Sequence, residues 1–288
     1  MKLLVLICVL GLALSLPTPE EAPIRGYYHD VIGIPEAANI KAVEEAADFD
    51  GSRIVGGSAA ALGAYPHLGG LVITLVNGAT SVCGSSLLTN NRAVTAAHCW
   101  WDGRNQARQF VVVLGSIRLF TGGTRITTTN VQMHGSWNPN TIQNDVAIIT
   151  LSWVTYSNTV RNIALPSGTL LNNNFAGWNA QAAGFGAQRD GAGIGTGQTL
   201  HHTTLRVITN AECQRSFGNS IIASTLCTDG SQGRSTCGGD SGGPLQVNSG
   251  GPVLIGITSF GSASGCQRGF PAAFARVTSF AAWIRARI

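Results

Sequence analysis

The chain has 288 residues, of which 44% are hydrophobic and 11% are charged, and it contains 37 glycines. This length and apolar content predict one or two compact, loop-rich domains and exclude a disordered chain. The formal net charge of +4 is divided unevenly between an acidic N-terminal segment and a basic remainder.

The first fifteen residues, MKLLVLICVLGLALS, have one lysine, then an apolar run, then the small residues Ala13 and Ser15. This pattern is typical of a secretory signal peptide. The run is too short for a membrane span, and no stop-transfer charges follow it. We therefore expect residues 1–15 to be removed and the protein to be exported, with no membrane association.

Residues 16–53 form an acidic segment, called the leader below, with eight acidic and three basic residues and a net charge of −5. The pattern of residues 36–49, EAANIKAVEEAADF, predicts an amphipathic helix. The leader ends at Arg53, which is followed by the apolar, glycine-flanked sequence that begins at Ile54. A plain linker with a chance arginine is the alternative interpretation of this junction.

Residues 54–288 are basic, with fourteen arginines, no lysine and six acidic residues, a net charge of +8. Because the arginines are scattered singly and no aromatic residues are interleaved with clusters of them, we expect a solvated surface rather than a nucleic-acid site. The glycine-rich stretch 191–197 is followed by a β-like sequence where a dinucleotide-binding motif needs a helix. We therefore interpret it as a surface loop.

The basic segment is predicted to be all-β, because short runs rich in Val, Ile and Thr alternate with Gly, Asn and Pro turns. A C-terminal helix is predicted over 279–288, with a plausible cap at Ser279. The strand-like runs are residues 67–76, 108–119, 125–134, 144–151, 204–209 and 252–260.

After loss of Cys8 with the signal peptide, an even number of cysteines remains in an oxidising compartment, which predicts three disulfides. Zinc is the competing interpretation, but C-x-x-C spacing is absent, so we expect no metal. The sequence alone leaves fifteen pairings open. The six cysteines are Cys83, Cys99, Cys213, Cys227, Cys237 and Cys266.

Three separated stretches carry residues suited to nucleophilic catalysis. CGGDSGGPL places Ser241 among glycines, VTAAHCW contains His98, and NDVAIITL has Asp145 just ahead of an apolar strand. Each alone has an ordinary structural explanation: a tight turn, a buried histidine and a turn cap. Together they form the set of nucleophile, base and orienting carboxylate that serine catalysis requires.

IVGG, TAAHC, NDVAIITL, GDSGGPL and SFG occur in the order and spacing of chymotrypsin-like serine proteases, which residues 54–288 resemble along essentially their whole length. The sequence as a whole resembles digestive chymotrypsins of the caterpillar midgut. The resemblance implies an all-β fold of two six-stranded antiparallel barrels with a C-terminal helix, and a catalytic cleft between the barrels. It implies no cofactor.

By this resemblance, His98 takes the proton of Ser241 during attack, and Asp145 orients the imidazole and stabilises its charged form. The backbone N–H groups of Gly239 and Ser241 would bind the tetrahedral oxyanion. The family pairs cysteines that are neighbours in order, which implies disulfides Cys83–Cys99, Cys213–Cys227 and Cys237–Cys266.

The resemblance also implies a zymogen. Cleavage after Arg53 by a trypsin-like protease would free the Ile54 ammonium, which would insert beside Asp240 and assemble the site. Since the leader has no cysteine, it has no covalent tether after cleavage and should be released. The missing cysteines also argue against a clip-type regulatory domain.

Specificity is expected to follow from Ser235, which occupies the pocket-floor position where trypsin-like members have an aspartate. Gly261 and Ala272 would form the pocket walls, and Ser259, Phe260 and Gly261 would run alongside the substrate backbone. We expect cleavage after Phe, Tyr and Leu. An acid-poor stretch between Asp102 and Asp145 indicates that the calcium loop is absent.

Two alternatives stay open: an elastase-like or collagenase-like preference, and a catalytically silent homologue that acts as a binding protein. The expected partners are protein and peptide substrates, the activating protease and protein protease inhibitors. We expect a monomer that is secreted and acts in digestion, in a gut lumen.

Overall fold

The computed structural model describes residues 27–47, 58–188, 190 and 199–288. The expected signal peptide, the junction of Arg53 with Ile54 and the glycine-rich stretch 191–197 lie outside these described residues. Within the described ranges, no helix combines the length and the hydropathy that a membrane span requires.

The described residues contain fourteen strands and three α-helices. A π-helical turn, His29–Gly33, leads directly into the helix α1 of the leader, Ile34–Ala47. Pro35 follows this turn, and because it has no N–H it removes one backbone donor from the continuous helix. The other helices are α2, Asn210–Phe217, and α3, Val277–Arg285; the strands are β1 Ser58–Ala59, β2 Leu68–Leu75, β3 Thr80–Thr89, β4 Arg92–Thr95, β5 Ala107–Leu114, β6 Thr124–Thr128, β7 Val131–Met133, β8 Ala147–Thr150, β9 Asn179–Gly184, β10 His201–Ile208, β11 Thr225–Thr228, β12 Pro244–Asn248, β13 Pro252–Phe260 and β14 Ala272–Arg276.

The first sheet is antiparallel, with the strand order β6-β5-β2-β3-β4-β8-β7. Its outermost strands, β6 and β7, are consecutive in the chain, so the sheet curls around its own apolar side. Leu71, Ile73, Phe110 and Ile149 are fully buried inside this curl. The β-branched and aromatic residues of β2, β5 and β8 thus form a continuous core.

The second sheet contains a closed six-stranded barrel, because β9 pairs with β10 as well as with β12. The order around the barrel is β10-β11-β14-β13-β12-β9, and the short β1 is added at β10. Phe175, Leu205, Leu226 and Phe274 are buried inside it.

The terminal helix α3 packs its Phe280 and Trp283 rings against His134, a residue of the first half of the protein.

The predicted all-β fold of two barrel-like sheets is confirmed, but the first sheet has seven strands instead of six, and its outermost strands β6 and β7 do not pair, so it forms a half-barrel. The strand expected over 125–134 is divided into β6, which pairs with β5, and β7, which pairs with β8. Seven further strands were not predicted, because their sequences are short or rich in Gly, Ser, Ala and Cys, as in β3. The helix expected over 36–49 is present as α1. The helix expected over 279–288 begins two residues earlier, at Val277, so the prediction of Ser279 as its cap is wrong: Ser279 lies inside the helix, and Arg276 is at the cap position.

Helix α2 was not predicted, although the sequence contains its start signal. Thr209 accepts a hydrogen bond from the Glu212 backbone N–H, and the Glu212 carboxylate accepts one from the Thr209 N–H. This reciprocal capping box satisfies two backbone donors at the start of the helix.

Candidate active site

His98 and Asp145 are brought together by two neighbouring strands of the first sheet. His98 lies in the turn Ala97–Cys99 directly after β4, and Asp145 lies two residues before β8. The two strands pair so that Thr95 faces Ala147. His98 Nδ1 lies 2.7 Å from Asp145 Oδ2, and the His98 backbone N–H donates to Asp145 Oδ1 at 2.9 Å.

Further contacts hold the Asp145 carboxylate in place. The Ser259 hydroxyl donates to Asp145 Oδ2 at 2.5 Å, so a residue of the second barrel fixes the carboxylate of the first. Asn144, with a φ of 60°, turns the chain just before it, a conformation that Asn tolerates better than most residues. The Asp145 side chain is 2% exposed, so little water reaches the pair. In this buried site the carboxylate fixes the orientation of the imidazole.

Ser241 lies in the loop between the Cys237–Cys266 disulfide and β12. The Gly84 backbone N–H donates to the Ser241 carbonyl at 2.6 Å, which ties the serine loop of the second barrel to β3 of the first. Gly242 has a φ of +78°, and a Cβ added to it would lie 2.5 Å from the Gly84 carbonyl oxygen. A glycine is therefore required beside the serine, because a side chain would separate the two barrels.

Asp240, the residue before Ser241, points into the protein. Its carboxylate accepts hydrogen bonds from the Gly186 N–H at 2.8 Å and the Cys237 N–H at 3.0 Å. Burial raises the pKa of Asp240 to about 6, and the two hydrogen bonds oppose the rise. No ion pair to Asp240 occurs within the described residues.

One cavity contains His98, Ser241 and the expected pocket residues Ser235, Ser259, Phe260 and Gly261. Ala272 is buried in β14, opposite Thr228 of β11, and Phe270 and Pro271 line the cavity at that end. Gly239, with a φ of +93°, lies between the disulfide and Ser241. Most of the predicted catalytic and pocket residues therefore line one cavity, whereas Asp145, Gly239 and the expected wall residue Ala272 do not.

Sequence reasoning did not identify two other groups at this cavity. Asp190 lies at its edge, where its carboxylate accepts from the backbone N–H groups of Cys266 at 2.7 Å and Gln267 at 3.0 Å. The second group belongs to the leader, whose Tyr28, Ile32 and Glu36 line the same cavity. No local sequence signal indicates this contact, because the leader and the cleft are far apart in the chain.

Two clusters of possible metal ligands occur among the described residues, Cys83 with His98 and Cys99, and Asp190 with Cys237 and Cys266. In both clusters the sulfur atoms are joined as disulfides. Metal binding requires free thiolates, so these clusters do not form metal sites. The third disulfide is Cys213–Cys227, which completes the pairing that the resemblance implied.

A family model described as Trypsin matches residues 54–284. The chain is a trypsin-family serine protease. The protease is 40% identical over 234 residues to the collagenase of Hypoderma lineatum, covering 81% of this chain and 86% of the collagenase. It is 36% identical over 237 residues to brachyurin of Leptuca pugilator, covering 81% of this chain and 97% of brachyurin.

A third relative, alkaline trypsin A of Manduca sexta, is 35% identical over 243 residues, covering 81% of the protease and 90% of that trypsin. A solved collagenase structure superimposes on the protease with a TM-score of 0.74 at 38% identity, covering 81% of this chain and 97% of that one. This similarity confirms the chymotrypsin-like fold for the protease.

Proposed function

We propose that the protease is a secreted zymogen of a serine endopeptidase, with a leader over 16–53 and a protease domain over 54–288. After cleavage behind Arg53 it hydrolyses peptide bonds that follow large apolar residues, in digestion. The observation that carries this proposal is the buried His98–Asp145 pair in one cavity with Ser241 and the uncharged Ser235.

In the proposed reaction, the Ser241 hydroxyl attacks the substrate carbonyl while His98 Nε2 takes its proton. The Asp145 carboxylate at Nδ1 keeps that proton-accepting nitrogen directed at the serine and stabilises the imidazolium. The N–H groups of Gly239 and Ser241 bind the oxyanion, and removing one oxyanion-hole donor from a serine protease of unrelated fold costs about 3 to 4 kcal/mol. Hydrolysis of the acyl-enzyme then regenerates Ser241.

The environment of Asp240 supports the proposed activation step. A buried carboxylate with a raised pKa and no cation among the described residues is stabilised strongly by an incoming positive charge. The Ile54 ammonium, created by cleavage after Arg53, is such a charge. Its pairing with Asp240 would fix the adjacent peptide of Gly239 and Ser241 in the oxyanion-binding conformation.

The pocket supports a preference for Phe, Tyr and Leu, since Ser235 offers no charge to Lys or Arg and Phe270 and Pro271 add apolar surface. Collagenase-like specificity is the second candidate. The similarity to the Hypoderma collagenase over most of both chains favours it.

The test is a profile of the peptides released from a mixed peptide library by the trypsin-activated protein. We expect cleavage after Phe, Tyr and Leu, with a burst of acyl-enzyme and no hydrolysis by the Ser241→Ala variant. A parallel incubation with native collagen distinguishes the second candidate. A wild-type protease with an Ile54 N-terminus that has been separated from the leader fragment but shows no burst would contradict the proposed enzyme and favour a silent binding homologue.

A further inference from the structure

We propose that residues 27–47 of the leader are an inhibitor of the protease's own catalytic site, which binds reversibly after the chain is cleaved at Arg53. This inference rests on the proposed activation of the same site and adds to it. Cleavage alone gives a complex with the leader still bound, and activity requires its dissociation.

Tyr28 occupies the catalytic centre. It is 8% exposed, and its ring centroid lies 4.5 Å from that of His98. Its hydroxyl donates to the Val82 carbonyl at 2.8 Å, and Tyr28 lines the same cavity as His98 and Ser241. The His98 Nε2 atom is buried and has no hydrogen-bond partner among the described residues. A substrate carbonyl cannot reach Ser241 while this tyrosine is in place.

The next turn of the leader covers the expected oxyanion-binding peptide. A Cβ added to Gly238 would lie 3.2 Å from Ile32 Cγ2 and 3.4 Å from Glu36 Cγ, and one added to Gly239 would lie 3.7 Å from Glu36 Cβ. The leader therefore packs directly on the backbone of Gly238 and Gly239. The same segment blocks the nucleophile and the site where the oxyanion would form.

The fit of the leader to β3 is close at Gly33. A Cβ added to Gly33 would lie 2.0 Å from the Ser81 hydroxyl oxygen, so only glycine is accommodated there. The same hydroxyl lies 2.8 Å from His29 Nδ1, and the His29 backbone N–H donates to Asp102 Oδ2 at 2.9 Å. These contacts are specific in shape and in hydrogen bonding, as in a protein–inhibitor interface.

Glu44 anchors the far end of α1. Its buried carboxylate accepts hydrogen bonds from the N–H groups of Leu119, Phe120 at 2.9 Å and Thr121 at 3.1 Å. Charged acceptors bound by several backbone donors are among the stronger hydrogen bonds. Between the two ends, Ala37 and Ile40 pack in one apolar cluster with Leu68, Val82 and Leu119.

Charge also favours binding of the leader. Residues 16–53 carry a net charge of −5, and residues 54–288 carry a net charge of +8. Asp30 lies 3.7 Å from Arg104 Nη1, and the Arg104 guanidinium lies over the Tyr27 ring at 5.4 Å. Exposed contacts of this kind contribute little to stability, but complementary charge accelerates association. The leader should therefore rebind the cleaved protease.

The bound leader is an inhibitor rather than a substrate because of its conformation. Residues 29–47 are helical throughout, so they do not present an extended backbone beside Ser259 and Gly261. Proteins that hold peptides by strand addition need an extended backbone. Since residues 16–53 contain no cysteine, only non-covalent contacts hold the leader after cleavage.

The test separates leader binding from proteolysis. The full chain is cleaved with immobilised trypsin, and the protease beginning at Ile54 is isolated from the leader fragment. Fluorescein-labelled leader, residues 16–53, is titrated into this protease and into its Ser241→Ala variant, and binding is followed by fluorescence polarisation. Casein hydrolysis by the active protease is measured with the same additions of unlabelled leader.

We expect competitive inhibition of casein hydrolysis, and binding to both proteases. Leader fragments with Tyr28→Ala or Gly33→Leu should bind at least about tenfold more weakly, as loss of a central buried contact implies. Lys41→Ala should bind like the wild type, because Lys41 is exposed on the same helix and contacts Glu45 only weakly at 3.9 Å.

Hydrolysis that is unaffected by an excess of leader, with no polarisation change, would overturn the inference and leave the proposed enzyme intact. Equal affinity of the Tyr28→Ala, Gly33→Leu and Lys41→Ala fragments would also overturn it. Specific binding to an isolated protease that lacks hydrolytic activity would support the leader interface and contradict the proposed function.

Discussion

Glu36 of the leader lies close enough to Asp240 of the serine loop for the charge of Asp240 to affect its titration. Burial, followed by the charge of Asp240, raises the pKa of Glu36 to about 7. Burial raises the pKa of Asp240 itself to about 6. The carboxyl groups of Glu36 and Asp240 therefore lie near each other where the leader covers the peptide beside Ser241. The Glu36 carboxyl is removed from this site when the leader dissociates.

The Glu36 carboxyl should make leader binding weaken as pH rises. His29 of the leader acts in the opposite direction below pH 6.5, because burial lowers its pKa from 6.5 to about 4. The bound state holds the Glu36 proton more tightly than the free leader does, so binding is favoured below the ordinary pKa of 4.5 and weakens until about pH 7. The titratable groups that face Glu36 are Asp240 and Tyr28, and burial raises the pKa of Tyr28 above its usual range. Burial, rather than the charge of Asp240, is the larger cause of the raised pKa of Glu36. The effect of Glu36 on leader binding should therefore persist after Asp240 pairs with the Ile54 ammonium.

The measurement is the inhibition constant of the leader fragment between pH 5 and pH 8. The same constant is measured for a Glu36→Gln fragment, which keeps His29 and Glu44, so their contributions cancel in the ratio of the two constants. The ratio of the wild-type constant to the Glu36→Gln constant should rise at most about tenfold per pH unit below about pH 7 and then level off. A ratio that stays constant across this range would contradict the assigned role of Glu36.

Removing the nucleophile should abolish turnover without unfolding the protein. Ser241→Ala and His98→Ala are each expected to lower kcat by about 10⁶-fold, since catalytic residues that act as a unit are strongly non-additive. The double variant should lose little more than either single one. Retained peptidase activity in Ser241→Ala, with all three disulfides intact by mass spectrometry, would show that another residue is the nucleophile.

Activation should depend on the new N-terminus. An Arg53→Gln chain should resist trypsin at this bond and stay inactive, whereas the wild type should gain activity together with an Ile54 N-terminus by Edman sequencing. An Arg53→Lys chain is the matched control and should activate like the wild type. Full activity of uncleaved Arg53→Gln would exclude the proposed role of the Ile54 ammonium.

A charge in the specificity pocket should reduce cleavage after Phe. In Ser235→Asp, an unpaired carboxylate is placed at the expected floor of the pocket, and we expect kcat/KM for a Phe substrate to fall by at least about tenfold. Ser235→Ala is the control and should retain most of this activity. An unchanged kcat/KM in Ser235→Asp would place residue 235 away from the substrate side chain.

The sequence by itself determined which residues are available for catalysis and much of the β content. Ser241, His98 and Asp145 stand in distinctive local motifs, and the strands β2, β5, β8 and β13 have apolar runs that local patterning detects. Strands such as β3 and β9 do not, because their Ser, Gly and Ala residues are buried by packing between sheets. Their strand conformation depends on neighbours that are distant in the chain.

Only the tertiary structure decided where the leader lies. The pattern of α1 shows that Ala37, Ile40 and Val43 share one face, but a buried face does not specify its partner. The apolar face packs against Leu68, Val82 and Leu119. The polar groups of the leader bind the backbone donors of Leu119 to Thr121 and the hydroxyl of Ser81, which the first sheet places at the same surface. Backbone N–H groups carry no signature in a sequence, so the contact between Tyr28 and His98 follows from three-dimensional complementarity alone.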